Sequence, residues 1–373
     1  MKKRSLSVAL VTTCSSISSN SMAIYTEMLT EVLSPHADKV RLTRIDLLDL
    51  IPRFPWPTPT LERRFQQLWL AFISPWQLRR YSPDLFHLTD GSTCYVLNRL
   101  DPKKCVVTLH DLIPLLQQQG RFPIAPSGIF ARWLIKKNLC SLGAQRNLCV
   151  DSMATNEDLK SNIDSDITPV VIFLTIRNKL LTCCPNLIPS WQERVEQGQR
   201  LILHVGNSGF YKNRTTVVKV FAELVKTHPL ELVMAGGPPD GQLELLIQDL
   251  KLTEKVKFVS YPDDKTLSRL YLRASLLLFP SYYEGFGWPP LEAMAFGCPV
   301  VCSNAGSLPE IVGDGALMAS PDNVAGLVNH CDSVLEDASR AMELIKAGWE
   351  NVKRFSPESM AEKLLDLYDS ALP

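Results

Sequence analysis

Two carboxylates, Glu284 and Glu292, stand eight positions apart in the segment that runs from Pro280 to Val301. The apolar residues at both of its ends predict buried strands, with a glycine-rich loop and a short helix between them. A loop that leads into a helix presents free backbone N–H groups and the positive end of the helix dipole, and both favour an anion. Carboxylates are suited to bind the hydroxyls of a sugar. The segment therefore indicates a site for a phosphate beside a polyol.

Two further stretches place chemically active side chains just after predicted strands. Leu201–Val205 leads into a glycine-containing loop with Lys212 and then into a helix, which again suits an anion. His110 directly follows the strand Cys105–Leu109, at the carboxyl end where parallel α/β sheets bind ligands. A surface lysine at a helix start and a hydrogen-bonded core histidine are the ordinary structural interpretations. We expect Asp111 to cap the following turn.

Short apolar strands alternate with amphipathic stretches along the chain, the pattern of parallel α/β sheets. The predicted strands are Leu6–Val11, Val40–Ile45, Leu85–Leu88, Cys105–Leu109, Asn147–Val150, Val170–Phe173, Leu201–Val205, Leu232–Ala235, Val256–Val259, Leu276–Phe279 and Val300–Ser303. At 373 residues the chain exceeds one ordinary core, and its composition changes between Thr182 and Gly198. We predict an α/β fold of two domains, 1–185 and 186–355, with facing sheets and a ligand cleft between them.

Charge and cysteine content narrow the class of protein. The formal net charge is zero, so the chain as a whole does not indicate a nucleic-acid partner. Most of the ten cysteines lie in apolar runs and none forms a Cys-x-x-Cys pair, which argues against a zinc site or a disulfide framework. No apolar stretch is long enough to span a bilayer. We therefore expect a cytoplasmic protein.

Basic and aromatic residues are interleaved in the N-terminal half. They are Arg53, Trp56, Arg63, Arg64, Phe65, Trp69, Trp76, Arg79, Arg80, Arg132, Trp133, Lys136 and Lys137. Basic amphipathic helices with tryptophan can rest on anionic membranes, which would place the protein peripherally at the inner face of a membrane. Ordinary packed helices with solvated edges have the same composition. The sequence leaves both interpretations open.

The segment from Pro280 to Val301 resembles the donor-binding signature of retaining glycosyltransferases of the GT-B fold, family 4 (glycosyl transferases group 1). The phrases that carry the resemblance are Pro280-Ser281, Glu284-Gly285-Phe286-Gly287, Leu291-Glu292-Ala293-Met294-Ala295 and Gly297-Cys298-Pro299-Val300-Val301. The two glutamates match the EX7E motif of that family. The resemblance implies that Glu284 lies beside the transferred sugar and that Glu292 binds the nucleotide ribose. It also implies that the backbone N–H groups of Gly285, Phe286 and Gly287 face sugar and phosphate.

The resemblance extends to the loop after Leu201–Val205. It implies that Lys212 holds the diphosphate, with Gly206 and Asn207 in the same donor-binding loop. Many relatives carry an arginine at the position of Asn207 or of Tyr211. Arg214 is the candidate that could supply the missing charge.

In the first domain the resemblance implies that His110 contacts the donor sugar and takes part in catalysis. It also implies that the loop with Ser18, Ser19 and Asn20 approaches the diphosphate and the acceptor. This loop is serine-rich where the family is often glycine-rich, which places acceptor geometry in doubt. Phe173–Arg177 stands where many relatives carry a Pro-Asn-Gly turn. The C-terminal helix, 356–373, is expected to cross back onto the first domain, as it does in this fold.

The implied activity is a retaining hexosyltransferase that moves mannose or glucose from a nucleotide-diphosphate sugar to an acceptor hydroxyl, in glycan, polysaccharide or glycolipid biosynthesis. The phrase Thr108–Pro114 is most similar to mannosyltransferase-type members, so GDP-mannose is the first donor to consider and UDP-glucose the second. The acceptor could be a glycan, a lipid-linked saccharide or a small molecule. We expect no cofactor and no metal, because Lys212 and a helix dipole could balance the leaving diphosphate. The alternatives are a nucleotide-sugar-binding protein without transfer activity and a nucleotide-sugar epimerase.

Overall fold

The computed structural model describes residues 4–13, 21–122, 124–163, 168–183, 191, 193 and 200–372. The chain divides into two compact units, Met1–Leu174 with Pro357–Pro373 and Thr175–Ser356. The boundary between Leu174 and Thr175 lies before the predicted boundary at 185/186. Thr175 and Leu180 belong to the second unit, because both accept hydrogen bonds from its side chains. There Trp288 Nε1 donates to the backbone oxygen of Thr175 at 3.1 Å, and Ser268 Oγ donates to that of Leu180 at 2.8 Å.

The first unit contains a parallel sheet in the order β2-β1-β3-β4-β5-β6. Its strands are β1 (Leu6–Thr12), β2 (Val40–Asp46), β3 (Leu85–Leu88), β4 (Cys105–Leu109), β5 (Asn147–Val150) and β6 (Val170–Val171). Its helices are Ser21–Leu33, Pro59–Phe72, Ser74–Leu78, Ile113–Gln118, Ile129–Gly143, Met153–Asn162 and Pro357–Ser370. Strands β3 and β4 are buried along their whole length, as expected of central parallel strands covered on both faces.

The last helix of the chain, Pro357–Ser370, is part of this first unit. Its Tyr368 is fully buried, and the phenol oxygen lies 2.7 Å from Nδ1 of His87 on β3. The other ring nitrogen of His87 lies 2.8 Å from Thr108 Oγ1 on β4. Burial lowers the pKa of His87 to about 3, so the ring is neutral and links the last helix to the centre of the sheet.

The second unit repeats the architecture, with a parallel sheet in the order β12-β11-β10-β7-β8-β9. Its strands are β7 (Arg200–Gly206), β8 (Leu230–Gly236), β9 (Val256–Ser260), β10 (Leu276–Phe279), β11 (Val300–Ser303) and β12 (Ala316–Ala319). Its helices are Asn178–Thr182, Arg214–Leu224, Gly241–Asp249, Asp264–Arg273, Trp288–Ala295, Leu308–Val312, Val324–Glu336 and Ala338–Val352. The predicted α/β class, with two doubly wound domains, is confirmed.

Two glycines allow β7 and β8 to end side by side. Gly206 and Gly236 are partners in the sheet register. Gly236 has a φ of 135°, and a Cβ on it would lie 2.0 Å from the backbone oxygen of Gly206. Only glycine tolerates this approach. The loops that follow both strands therefore leave from the same edge of the sheet. Among the described helices, none is long and apolar enough to cross a membrane.

Candidate active site

The loop 280–287, which carries Glu284, is fixed by the segment that follows β11. The hydroxyl of Ser307 donates to the backbone oxygens of Glu284 and Phe286, at 3.0 and 2.6 Å. Gly306 has a φ of 58°, and a Cβ on it would lie 2.8 Å from the backbone oxygen of Glu284. A small residue and a hydroxyl thus hold the backbone of Glu284 in one conformation.

The end of the same loop begins the helix Trp288–Ala295. Gly287 precedes this helix with a φ of 109°, a conformation that favours glycine. The Phe286 ring is buried, with its centroid 5.9 Å from that of Phe355. The side chains of this stretch therefore anchor the loop. A phosphate- or sugar-binding role for the backbone N–H groups of Gly285, Phe286 and Gly287 stays a prediction.

Lys212 and Glu284 form an ion pair. The ammonium nitrogen of Lys212 lies 2.9 Å from each carboxylate oxygen of Glu284. Both side chains are about nine-tenths buried, with 11% and 9% of their surfaces exposed. The ammonium also lies 5.4 Å from the ring centroid of Tyr211 and 5.1 Å from that of Phe279. Two residues that the sequence placed in separate motifs are therefore in direct contact.

Backbone contacts hold the turn Phe210–Lys212 beside the loop of Glu284. Asn213 adopts the left-handed conformation, with a φ of 50°, and its amide nitrogen donates to the backbone oxygens of Pro280 and Pro321 at 2.9 and 3.1 Å. The backbone N–H of Tyr282 donates to the oxygen of Tyr211 at 2.7 Å. The position of Lys212 therefore depends on tertiary contacts as well as on its own turn.

Arg214 begins the helix Arg214–Leu224 and is buried. Its Nη1 donates to Ser208 Oγ and to the backbone oxygen of Pro238, at 3.1 and 2.9 Å. Its Nε and Nη2 have no hydrogen-bond partner among the described residues. Burial lowers the pKa of Arg214, and the charge of Asp240 opposes that shift. Arg214 is thus a buried cation, and two of its guanidinium nitrogens have no hydrogen-bond partner in the described part of the chain.

Gly206 and Asn207 shape the loop between β7 and Lys212. A Cβ on Gly206 would lie 3.2 Å from the Lys212 side chain, so glycine leaves room for that chain. Asn207 accepts from the backbone N–H of Gly209 at 2.9 Å and donates to the phenol oxygen of Tyr211 at 3.0 Å. These bonds fold the loop on itself. Direct contact of Gly206 or Asn207 with a nucleotide stays a prediction.

Glu292 is buried inside the helix Trp288–Ala295, with 2% of its side chain exposed. One carboxylate oxygen accepts from Nε of Arg177 at 2.7 Å, and the other accepts from the Tyr271 hydroxyl at 2.9 Å. The Arg177 guanidinium also donates through Nη1 to Asp264 at 2.6 Å. The carboxylate of Glu292 is therefore oriented by donors on both of its oxygens.

His110 directs both ring nitrogens at acceptors in the first unit. Nδ1 lies 2.9 Å from an Asp151 carboxylate oxygen, and Nε2 lies 3.0 Å from the backbone oxygen of Thr89. Burial disfavours the charged ring, but the hydrogen bond and charge of Asp151 outweigh it and raise the pKa of His110 to about 9. Contact with a sugar would require the ring to exchange one of these bonds. Asp111 accepts from the backbone N–H of Ile113 at 2.9 Å, which confirms the predicted cap.

The structure thus brings Glu284 and Lys212 together in the second unit and places His110 in the first unit. Ser18, Ser19 and Asn20 lie outside the described residues, so their predicted role at the diphosphate or acceptor stays a prediction.

Comparison with known proteins shows which proteins this chain is similar to. The model of the family "Glycosyl transferases group 1" matches residues 189–350. O-antigen chain mannosyltransferase B of Escherichia coli is 28% identical over 303 residues, which cover 79% of this chain and 76% of that protein. Residues 189–350 of this chain therefore match the group 1 glycosyltransferases.

Solved structures show that the GT-B fold extends along nearly the whole chain. A sucrose-phosphate synthase from Thermosynechococcus elongatus has a TM-score of 0.73 at 20% identity and covers 98% of both chains. The Anabaena protein HepE in complex with UDP-glucose has a TM-score of 0.69 at 17% identity and covers 98% of this chain and 100% of its own. At such identities the similarity shows the fold alone.

Sequence reasoning missed two partners of the candidate site residues. Asp151, which pairs with His110, directly follows β5, and its position after a predicted strand was a usable signal. Arg177 was noted only as part of a departure from the family pattern. It is separated from Glu292 by 115 residues, so no local periodicity could have revealed the contact.

Proposed function

We propose that this protein is a glycosyltransferase that moves a hexose from a nucleotide-diphosphate sugar to an acceptor hydroxyl, with retention at the anomeric carbon. The ion pair between Lys212 and Glu284 is the observation that carries the proposal. Lys212 is the cation suited to the diphosphate, and Glu284 is the acceptor suited to sugar hydroxyls. Their direct contact supports a single site at which the phosphate and the sugar of one donor meet.

The proposed mechanism is a front-side displacement. The acceptor oxygen bonds to the anomeric carbon as the bond from that carbon to the diphosphate oxygen breaks, and the acceptor proton passes to the departing phosphate. Lys212 and Arg214 stabilise the charge that develops on the diphosphate, and Glu284 orients the sugar. Glu292 accepts hydrogen bonds from the ribose. His110 contacts the donor sugar, a role that we carry from the family resemblance.

We propose a mannose-type sugar and a GDP carrier, with UDP-glucose as the second candidate. The support for mannose is the 28% identity with an O-antigen mannosyltransferase along 79% of the chain. HepE was solved with UDP-glucose, which keeps that donor in view. The acceptor would belong to glycan, polysaccharide or glycolipid biosynthesis. The reaction needs no cofactor or metal in this proposal, because Lys212 and Arg214 supply positive charge.

Turnover of GDP-mannose and UDP-glucose by purified protein tests the proposal. A thermal-shift series with GDP, UDP, ADP and their sugars first identifies the donor class, because a ligand that binds the native state raises the midpoint. Release of nucleoside diphosphate is then measured with glycan, lipid-linked and small-molecule acceptors, and NMR of the product gives its anomeric configuration. Glu284→Gln serves as the inactive control of nearly equal volume.

Three results would contradict the proposal. Inversion at the anomeric carbon would exclude the front-side mechanism. An epimerised free sugar nucleotide would indicate epimerase chemistry. Nucleotide binding without any product, across the acceptor series, would indicate a binding protein.

We also propose that the first unit, which would bind the acceptor, contacts an anionic membrane. The relevant surface consists of the exposed apolar and aromatic side chains and the basic side chains of 53–81 and 129–137, here named the aromatic–basic patch. Its exposed apolar members are Phe54, Leu61, Leu68, Phe72, Ile73, Trp76, Tyr81, Ile129 and Trp133. Exposed aromatic rings beside arginine and lysine side chains match an interface with anionic lipid headgroups.

Ring contacts join two helices of the patch. Phe72 on the helix Pro59–Phe72 stacks on Trp133 of the helix Ile129–Gly143, with centroids 5.8 Å apart. The Lys137 ammonium lies 4.9 Å from the Phe72 ring. The Arg99 guanidinium lies 4.7 Å from the Trp76 ring. Cations therefore accompany the exposed rings, an arrangement that favours a negatively charged apolar surface.

Co-sedimentation with vesicles tests this contact. We expect binding to vesicles that contain phosphatidylglycerol, weaker binding to pure phosphatidylcholine, and loss of binding at high salt, because surface charges are screened. The double variant Trp76→Ser/Trp133→Ser should lose most of the binding. Leu245→Ser, at an exposed apolar position of the second unit, is the control and should bind normally. Equal binding to both lipids, or no effect of the tryptophan changes, would contradict the contact.

A further inference from the structure

The guanidinium of Arg177 lies between two carboxylates of the second unit. Nε donates to Glu292 at 2.7 Å and Nη1 donates to Asp264 at 2.6 Å. Arg177 is 15% exposed, Asp264 32% and Glu292 2%. Burial disfavours the charge of Arg177, but the charge and hydrogen bond of Glu292 outweigh burial and raise its pKa. The guanidinium is thus a permanent cation beside the buried carboxylate.

Tyr271 completes the environment of Glu292. Its ring is fully buried and stacks on Phe296, with centroids 5.7 Å apart, so the hydroxyl has a fixed direction. That hydroxyl donates to the second oxygen of Glu292 at 2.9 Å. An ionised carboxylate has about four lone-pair positions, and these two donors occupy one on each oxygen. One lone-pair position on each oxygen remains beyond these two donors.

We propose that Arg177 is a positioning residue for nucleotide binding, which with Tyr271 keeps the Glu292 carboxylate oriented to accept the ribose hydroxyls. The inference rests on the proposed ribose role of Glu292. A buried carboxylate that loses its donors turns toward other partners or toward water, and this change removes an acceptor from the ligand. Arg177 directly precedes the short helix Asn178–Thr182. Asp264 accepts from Nη1 of its guanidinium.

The chain offers a control at a second buried carboxylate, whose arginine is more exposed than Arg177. Glu231 is a buried carboxylate of the second unit, 3% exposed, that accepts from Lys257 at 2.7 Å and from Arg273 at 2.8 Å. No site role is assigned to Glu231. If removal of an arginine beside a buried glutamate acted only through stability, Arg177→Met and Arg273→Met would affect nucleotide binding alike.

The experiment is a double-mutant cycle in nucleotide affinity, with GDP and UDP titrated separately into full-length protein. We expect Arg177→Met to weaken binding by about tenfold or more, the effect of losing one charge-assisted hydrogen bond. In the Glu292→Gln background the same change should cost less than about threefold, because the group through which Arg177 acts is gone. Arg177→Lys should restore part of the affinity. In Arg177→Met, kcat at saturating donor should change much less than the KM for the donor.

Tyr271→Phe keeps the test available if Arg177→Met does not fold, because it removes a hydroxyl and leaves the ring packing. It should weaken nucleotide binding and lose that effect in the Glu292→Gln background. Arg273→Met should leave nucleotide affinity unchanged.

Two results would overturn the inference, and they are distinguishable. If Glu292→Gln weakens binding while Arg177→Met and Tyr271→Phe do not, or if their effects simply add to it, Arg177 does not act through Glu292. If Glu292→Gln itself binds GDP and UDP like the wild type, the ribose role of Glu292 falls together with the inference.

Discussion

The buried pair of Lys212 and Glu284 predicts that removing one partner is worse than removing both. Lys212→Met leaves a carboxylate that is 9% exposed, with the ammonium at 2.9 Å gone. Breaking a buried pair in this way costs about 3–5 kcal/mol. A unit of this size shifts its Tm by about 2–4 °C per kcal/mol, so the expected loss in Tm is roughly 6–20 °C.

The double variant Lys212→Met/Glu284→Gln should recover most of that loss, because no unpaired charge remains buried. Thermal and urea unfolding of the wild type, both single variants and the double variant give the coupling energy, expected at about 2 kcal/mol or more. The protein is measured without nucleotide, so that the pair alone is tested. Single-variant losses that add within about 0.5 kcal/mol would refute the reasoning, since the two groups would then not stabilise each other.

Nucleotide binding supplies an independent arm of the same prediction. If the diphosphate replaces Glu284 as the partner of Lys212, Glu284→Gln should retain or increase the affinity for GDP or UDP while it abolishes sugar transfer. Lys212→Met should weaken that affinity by about tenfold or more, the loss of one charge-assisted contact. Titration calorimetry measures both. Equal losses of affinity in the two variants would show that the phosphate does not compete with Glu284.

Three further predictions concern other parts of the chain. The folded-state pKa of His110 is about 9 and its ordinary value is 6.5, so the stabilisation from its pairing with Asp151 is complete below pH 6.5 and is lost as the pH rises to 9. The free energy of unfolding of the wild type should therefore fall by up to about 3 kcal/mol over this range. His110→Gln should flatten the decline. Gly236→Ala should lower the free energy of unfolding by about 3 kcal/mol or more, because its Cβ would lie 2.0 Å from a backbone oxygen. A Cβ on Gly241 would have no neighbour within 4 Å, so Gly241→Ala should change this free energy by less than about 0.5 kcal/mol. Urea unfolding measures both. Tyr368→Phe should lower the stability of the first unit by about 1–3 kcal/mol, because it leaves a ring nitrogen of a buried histidine unpaired, and circular dichroism during unfolding checks it.

Much of the fold was predictable because buried parallel strands are short apolar runs between turns. Leu85–Leu88, Cys105–Leu109, Leu276–Phe279 and Val300–Ser303 have the predicted bounds in the structure. Strand β12, Ala316–Ala319, was missed. It lies at the edge of its sheet and contains two alanines, so neither burial nor β propensity marked it.

The candidate site was predictable where its groups belong to local motifs and not where they pair across the sequence. Glu284 and Lys212 were each found from a strand followed by a glycine-containing loop, but their contact depends on tertiary structure, as the bonds of Asn213 show. The engagement of both His110 nitrogens could not be predicted either. One partner is a backbone oxygen, that of Thr89, which carries no residue-type signal.

The two carboxylates of the motif have different cations, and the difference agrees with their different proposed tasks. Glu284 faces a lysine, a compact charge on a flexible chain that can turn from the carboxylate to a phosphate. Glu292 faces an arginine, whose planar fork is also held by Asp264 and so cannot easily leave. The first pair is suited to exchange partners when a donor enters. The second is suited to keep one carboxylate fixed, because a ribose needs an acceptor in the same place at every turnover.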